Sequence, residues 1–99
     1  MTERFDKAEP LLEEVVAKAR LIYPKGHDLL AHYLLYYGRL KVKQRQFKKA
    51  ESVLTEAYEI NSRHFGTDHK WTREVVEWLI ELYSTWGKPE LAKKYYRNS

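Results

Sequence analysis

"AESVLTE", residues 50–56, decides how this chain folds, because a variant of it, "AEPLLEE", stands at residues 8–14. The offset is 42 residues: Ala8 falls on Ala50, Glu9 on Glu51, Leu12 on Leu54 and Glu14 on Glu56. A third alanine follows at Ala92, with Tyr95 and Tyr96 where the earlier copies carry Leu11–Leu12 and Val53–Leu54. The register holds outside the quoted words. "YPKGH" (23–27) falls on "FGTDH" (65–69), Leu34 on Val76, Tyr36 on Trp78 and Leu40 on Leu82. Self-similarity at such a period marks supersecondary units that stack because none can bury its apolar face alone.

Hydrophobic spacing says what each unit is made of. Leu11, Leu12, Val15, Val16, Ala19 and Ile22 recur at intervals of one, three and four, one apolar stripe of a helix over 5–22. Asp6 and Glu9 read as its capping pair, with Pro10 tolerable near the start. A second helix over 27–44 carries Leu30, Tyr33, Leu34, Tyr37 and Lys41 on one face, and Leu29, Tyr36 and Leu40 on another flank. That is too much apolar surface for one contact, so neighbours on several sides are expected. A third helix, 47–64, turns Phe47, Ala50, Val53, Leu54, Ala57, Tyr58 and Ile60 inward. A fourth, 69–86, carries Val75, Val76, Trp78, Leu79, Leu82, Tyr83 and Trp86. "GKPE" closes it, Gly87 as a positive-φ cap and Pro89 as the restart of a short last helix.

Composition agrees and narrows the function. Ninety-nine residues make one domain, with four Gly and three Pro, too few turn formers for an all-β fold. Cysteine is absent, which removes disulfide and thiolate chemistry. The start, "MTERFDKAEP", is charged and unlike a signal peptide, and no apolar run approaches the ~20 residues of a membrane span. A cytoplasmic protein without membrane attachment is the expectation. The net charge of +4 permits an acidic partner without requiring one.

The units resemble the tetratricopeptide repeat, in its 42-residue kinesin-light-chain-like type, where a G-x-D-H-P corner precedes the first helix and A-E-x-L lies in the second. Here "FGTDHKW", "QFKKAESVL" and "DKAEPLL" carry the likeness, together with Leu34, Tyr37 and Gly38, then Phe47, Ala50, Leu54 and Ala57. The resemblance implies an all-α fold of antiparallel helix hairpins stacked as a short right-handed solenoid. It would divide the single domain into a partial repeat (5–22), a complete repeat (27–64) and a repeat with a truncated second helix (69–97). It also implies a protein-interaction module, a scaffold or adaptor, that is not an enzyme and has no cofactor. Gly38, Ala50 and Ala57 are the small residues that let paired helices approach closely.

By register, the groove of such a solenoid would be lined by His32, Leu35, Tyr36, Arg39 and Lys43 from one unit and Glu74, Glu77, Trp78 and Glu81 from the next. Members of the family often place a pair of Asn on this surface to hold a peptide backbone. Those positions are Leu35–Tyr36 and Glu77–Trp78 here, so an aromatic surface replaces the amide clamp. Two uses remain open. The aromatics anchor a protein or peptide segment between a basic and an acidic end. Alternatively, Tyr36 and Trp78 pack on each other while Arg39 pairs with Glu81.

Three other features are weighed against this reading. "RHFGTDHKW" (63–71) gathers His64, Asp68 and His69, but only His69 has a matching His one period earlier, and Gly66 interrupts the helix needed to converge the ligands. It reads as a corner, not a metal site. "KVKQRQFKK" (41–49) holds five basic residues in nine, yet only Phe47 offers stacking, which argues against nucleic acid. No phosphate loop, H-E-x-x-H or G-x-S-x-G motif accompanies them, so no catalytic residue is assigned. Finally, the first helix reads as the second half of a repeat. Its outer face, Leu11 and Val15, is then uncovered, and the alternative expectation is a structural, self-assembling fragment of a longer repeat array, or a homodimer formed through that face.

Overall fold

Four amphipathic helices form where the apolar spacing places them, and the computed structural model describes residues 2–96, with side chains from Leu11 onward. They are α1 (Thr2–Ile22), α2 (Asp28–Lys43), α3 (Phe47–Phe65) and α4 (Lys70–Trp86). A 3₁₀ turn, Pro89–Ala92, then leads into α5, Lys93–Tyr96. The described residues hold no strand, and the fold is an all-α helical repeat. α1 begins earlier than the spacing suggests. Asp6 lies inside it and Pro10, which has no N–H to give the ladder, is well within rather than near its start. The expected Asp6–Glu9 capping contact falls outside the described side chains.

Both corners before a first helix carry the same cap. His27 and His69 are N-caps with φ −68° and ψ near 140° (139° and 145°), and each Nδ1 accepts the backbone N–H two residues on, at 3.1 Å. Tyr23 stacks on His27 at 4.7 Å and Phe65 on His69 at 4.6 Å, the aromatic at each helix end covering the next helix's cap. Both hairpin turns are also alike. At the end of α4 the Lys88 N–H donates to the Tyr83 carbonyl and Gly87 to Ser84; at the end of α2, Gln46 donates to Lys41 and Arg45 to Val42. This is the Schellman closure, which puts one residue in the left-handed region. Gly87 takes it at φ 81°, and Arg45 takes it at φ 62°.

α2 is the spine, packed by α1, α3 and α4. The approach of α3 is close enough that a Cβ on Gly38 would meet Leu54 at 2.6 Å. Ala50 and Ala57 are fully buried beside it, as is Ala92 one period later; the surroundings of Ala8 lie outside the described side chains. Leu30, Leu34, Leu54, Val75, Val76, Leu79 and Leu82 complete a continuous core.

Each joint between repeats also buries a polar group against a carboxylate. Lys41 is 1% exposed, its ammonium 3.9 Å from the Glu13 carboxylate and over the Tyr37 ring; Tyr37 donates its hydroxyl to the same carboxylate at 2.9 Å. One period later the position of Lys41 is taken by Tyr83, which donates to Glu51 at 2.7 Å. Burial and that hydrogen bond push the Tyr83 phenol far above its usual range; burial, with Tyr58 and nearby carboxylates, raises Tyr95 as well. Arg20 of α1 reaches α3 through a two-pronged pair with Glu56, both bonds 2.9 Å.

Candidate partner-binding face

Helix register decides which side chains α2 and α4 leave over from packing. On α2 the leftover row is Leu29, His32, Tyr36, Arg39 and Lys43; on α4 it is Lys70, Trp71, Glu74, Glu77, Trp78 and Glu81. The two rows meet. Arg39 lies between two aromatic rings, its guanidinium carbon 5.4 Å from the Tyr36 centroid and 5.0 Å from that of Trp78. The Lys43 ammonium lies 5.6 Å over Trp78 as well. Tyr36 is half exposed and Trp78 partly covered, and both rings have the Arg39 guanidinium as a neighbour. At the other end His32 meets Trp71 edge to face at 5.0 Å.

Of the nine residues expected on this face, Leu35 is displaced. It is 4% exposed and belongs to the core, since α2 is packed by three other helices and has little surface left over. Arg39 makes no ion pair with Glu81 among the described residues; Glu81 instead accepts from the Thr85 hydroxyl of its own helix at 3.3 Å. Glu74 and Glu77 stay exposed and line an open depression of about 600 Å³ with Asp68, Lys70, Trp71 and Arg73. The face is therefore aromatic and basic toward the α2 C-terminus and acidic along α4.

Sequence reasoning missed Trp71. Its counterpart one period earlier is Leu29, so the repeat gave no reason to single it out. In the structure Trp71 sits against His32, Phe65 and His69 at centroid distances of 5.0, 4.9 and 5.1 Å. The former metal candidates are placed by the same corner. His64 donates through Nε2–H to the Gly26 carbonyl at 2.7 Å, tying α3 to the first corner, while His69 caps α4. Among the described residues no cluster of three or more such side chains could hold a metal ion, and no helix is long and apolar enough to cross a membrane. The basic run loses a member too, since Lys41 is buried.

Paired antiparallel helices that repeat their caps, turns and small-residue contacts define a helical-repeat protein whose exposed first-helix rows form a shared face. Residues 1–63 match the family model of the tetratricopeptide repeat, and the chain belongs to that family. Comparison with curated proteins gave no significant match, and comparison with solved structures gave none either.

Proposed function

We propose that the protein is a non-catalytic, cytoplasmic interaction module of the kinesin-light-chain-like type, a scaffold that holds a segment of a partner protein on the α2/α4 face. The observation that carries this is Arg39 held between Tyr36 and Trp78. An intramolecular salt bridge with Glu81 would have spent the guanidinium; over the rings it keeps its donors for a partner's carboxylate or carbonyls. Aromatic and Arg side chains at the centre of a face, with charge at the rim, are the composition of binding hot spots. His32, Lys43, Glu74, Glu77 and Glu81 would set orientation, cations at one end and carboxylates along the other helix. The test is capture from native lysate by the wild type beside Tyr36→Ala/Trp78→Ala, with helicity checked by circular dichroism. Loss of the captured proteins by a folded double variant supports the reading. Identical capture by both removes it.

A second reading is self-assembly, and the apolar stripe of α1 favours it. Leu11 is 64% exposed, Val15 37% and Ile22 71%, forming the uncovered edge of an apolar stripe whose adjoining edge, Val16 and Ala19, is buried. In a stacked repeat such a stripe takes another helix, here from a second copy. Light scattering decides: a dimer that Leu11→Lys/Val15→Lys converts to monomer supports it, and a wild-type monomer at high concentration counts against it.

A further inference from the structure

We propose a second docking surface at the end of the molecule where the α2–α3 turn meets the turn after α4, with an Asp/Glu-rich segment of a partner protein as its occupant. Two aromatic side chains from different repeats, Phe47 and Trp86, stack there at 5.6 Å and 24°. Each carries a cation: Arg45 lies 5.2 Å over Phe47, and Lys88 4.2 Å over Trp86. Lys48 and Lys49 join Arg45, Gln46, Phe47 and Trp86 around a shallow concavity of about 430 Å³. None of the four cations pairs with a carboxylate among the described residues, whereas Lys18 and Arg20 of α1 both do. Other surface cations, such as Lys25 and Arg63, are unpaired among the described residues too; what sets this end apart is that four of them gather around one stacked aromatic pair.

Two features show the charge being held against an energetic cost. Arg45 occupies the left-handed position that Gly87 fills in the following turn, where glycine would sit without strain. α3 opens with Lys48 and Lys49, with no acid in its first turn and no side-chain cap from Gln46. Cations there oppose the helix dipole, and a bound carboxylate would relieve both the dipole and the mutual repulsion. The arrangement favours an acidic peptide over nucleic acid. Single strands bind through free ring faces on which bases stack, and here each ring is already stacked on its neighbour and carries a cation. What is offered instead is a set of positioned N–H donors, which suits carboxylates. This site is separate from the α2/α4 face and does not depend on it.

The experiment is fluorescence anisotropy of labelled decaglutamate and labelled decathymidine with the intact chain. It compares Arg45→Gln/Lys48→Gln/Lys49→Gln/Lys88→Gln with a control of equal net charge, Lys25→Gln/Arg63→Gln/Lys93→Gln/Lys94→Gln, both checked for helicity. Decaglutamate binding should weaken about tenfold or more in the first variant and less than about twofold in the control. It should weaken in Trp86→Leu as well, which leaves every charge in place. The proposal is overturned if the two quadruple variants lose equally, if decathymidine binds as tightly as decaglutamate, if Trp86→Leu has no effect, or if the wild type binds neither probe.

Discussion

The two corners of the molecule, Tyr23–Asp28 and Phe65–Lys70, share a histidine cap and a stacked aromatic, but the positive-φ residue is Gly26 in the first and Gly66 in the second, two positions apart in the repeat, and they are locked by different means. At the second, the Thr72 hydroxyl donates to the Gly66 carbonyl at 2.8 Å, the Asn61 amide donates to the Trp71 carbonyl at 3.3 Å, and the Trp71 ring covers both His69 and Phe65. The matching positions in the first corner are Leu30, Ala19 and Leu29. None can form those bonds, and Leu29 is largely exposed. The first corner is held from outside, by His64 of α3 reaching the Gly26 carbonyl. The period thus dictates the cap that starts each first helix, while the turn's backbone and the side chains that secure it are chosen site by site.

The largest expected effect breaks this comparison directly. Trp71→Ala strips a half-buried ring from three aromatic neighbours and should cost about 2–3 kcal/mol of stability. Leu29→Ala, at the same register position, removes a side chain that is 42% exposed and should cost less than about 1 kcal/mol. Urea unfolding followed by circular dichroism measures both, and equal losses would show that the corners are secured alike. Next in size is Gly38→Ala. Better helix propensity would favour the alanine by about 1 kcal/mol, but its Cβ would lie 2.6 Å from Leu54 and 3.2 Å from Val53. Overpacking should win, for a net loss of about 1–2 kcal/mol. The matching position in the next repeat is Ile80, a large, partly covered residue, where the helix after α4 is too short to demand a glycine.

How much of this was legible follows from which properties repeat. Ala50 and Ala92 share a register and are both fully buried, and the His27 and His69 caps share one too, because backbone geometry and close packing demand the same residue type each time. The groove was legible only in outline. Tyr36, Arg39 and Trp78 meet as neighbours, but the guanidinium took the rings and not Glu81, a choice between two partners that spacing alone does not decide. Leu35 was misplaced because a register borrowed from an idealised groove does not say how much of α2 its three packing neighbours cover. The Phe47–Trp86 stack was invisible. Its members are 39 residues apart, off the 42-residue period, and they meet only because two turns end on the same side of the molecule.

The hairpin turns sharpen the same contrast with a smaller effect of opposite signs. Arg45→Gly should stabilise by up to about 1 kcal/mol, since the left-handed conformation is strained for arginine and free for glycine. Gly87→Ala should cost about 1 kcal/mol for the same reason, no neighbour obstructing the added carbon. Thermal unfolding of the pair reads both, and a destabilised Arg45→Gly would mean that the Arg45 contact with Phe47 outweighs its backbone strain.

The smallest effect is silent at neutral pH and compares the two joints. Tyr83 stands where the first joint has Lys41, and its phenol is raised in the folded chain by burial and by the hydrogen bond to Glu51. A raised group binds its proton more tightly folded than unfolded. Its contribution is therefore complete below the unfolded phenol value of about 10 and declines as pH climbs above it, because only the unfolded chain then releases the proton readily. Unfolding free energy should accordingly fall between about pH 10 and pH 11.5, with Tyr95, shifted in the same direction, adding to the slope. Tyr83→Phe should flatten that slope while costing stability at pH 7, where Glu51 loses its donor. An unchanged slope in Tyr83→Phe would assign the alkaline loss to other groups and leave the second joint no more sensitive to base than the first.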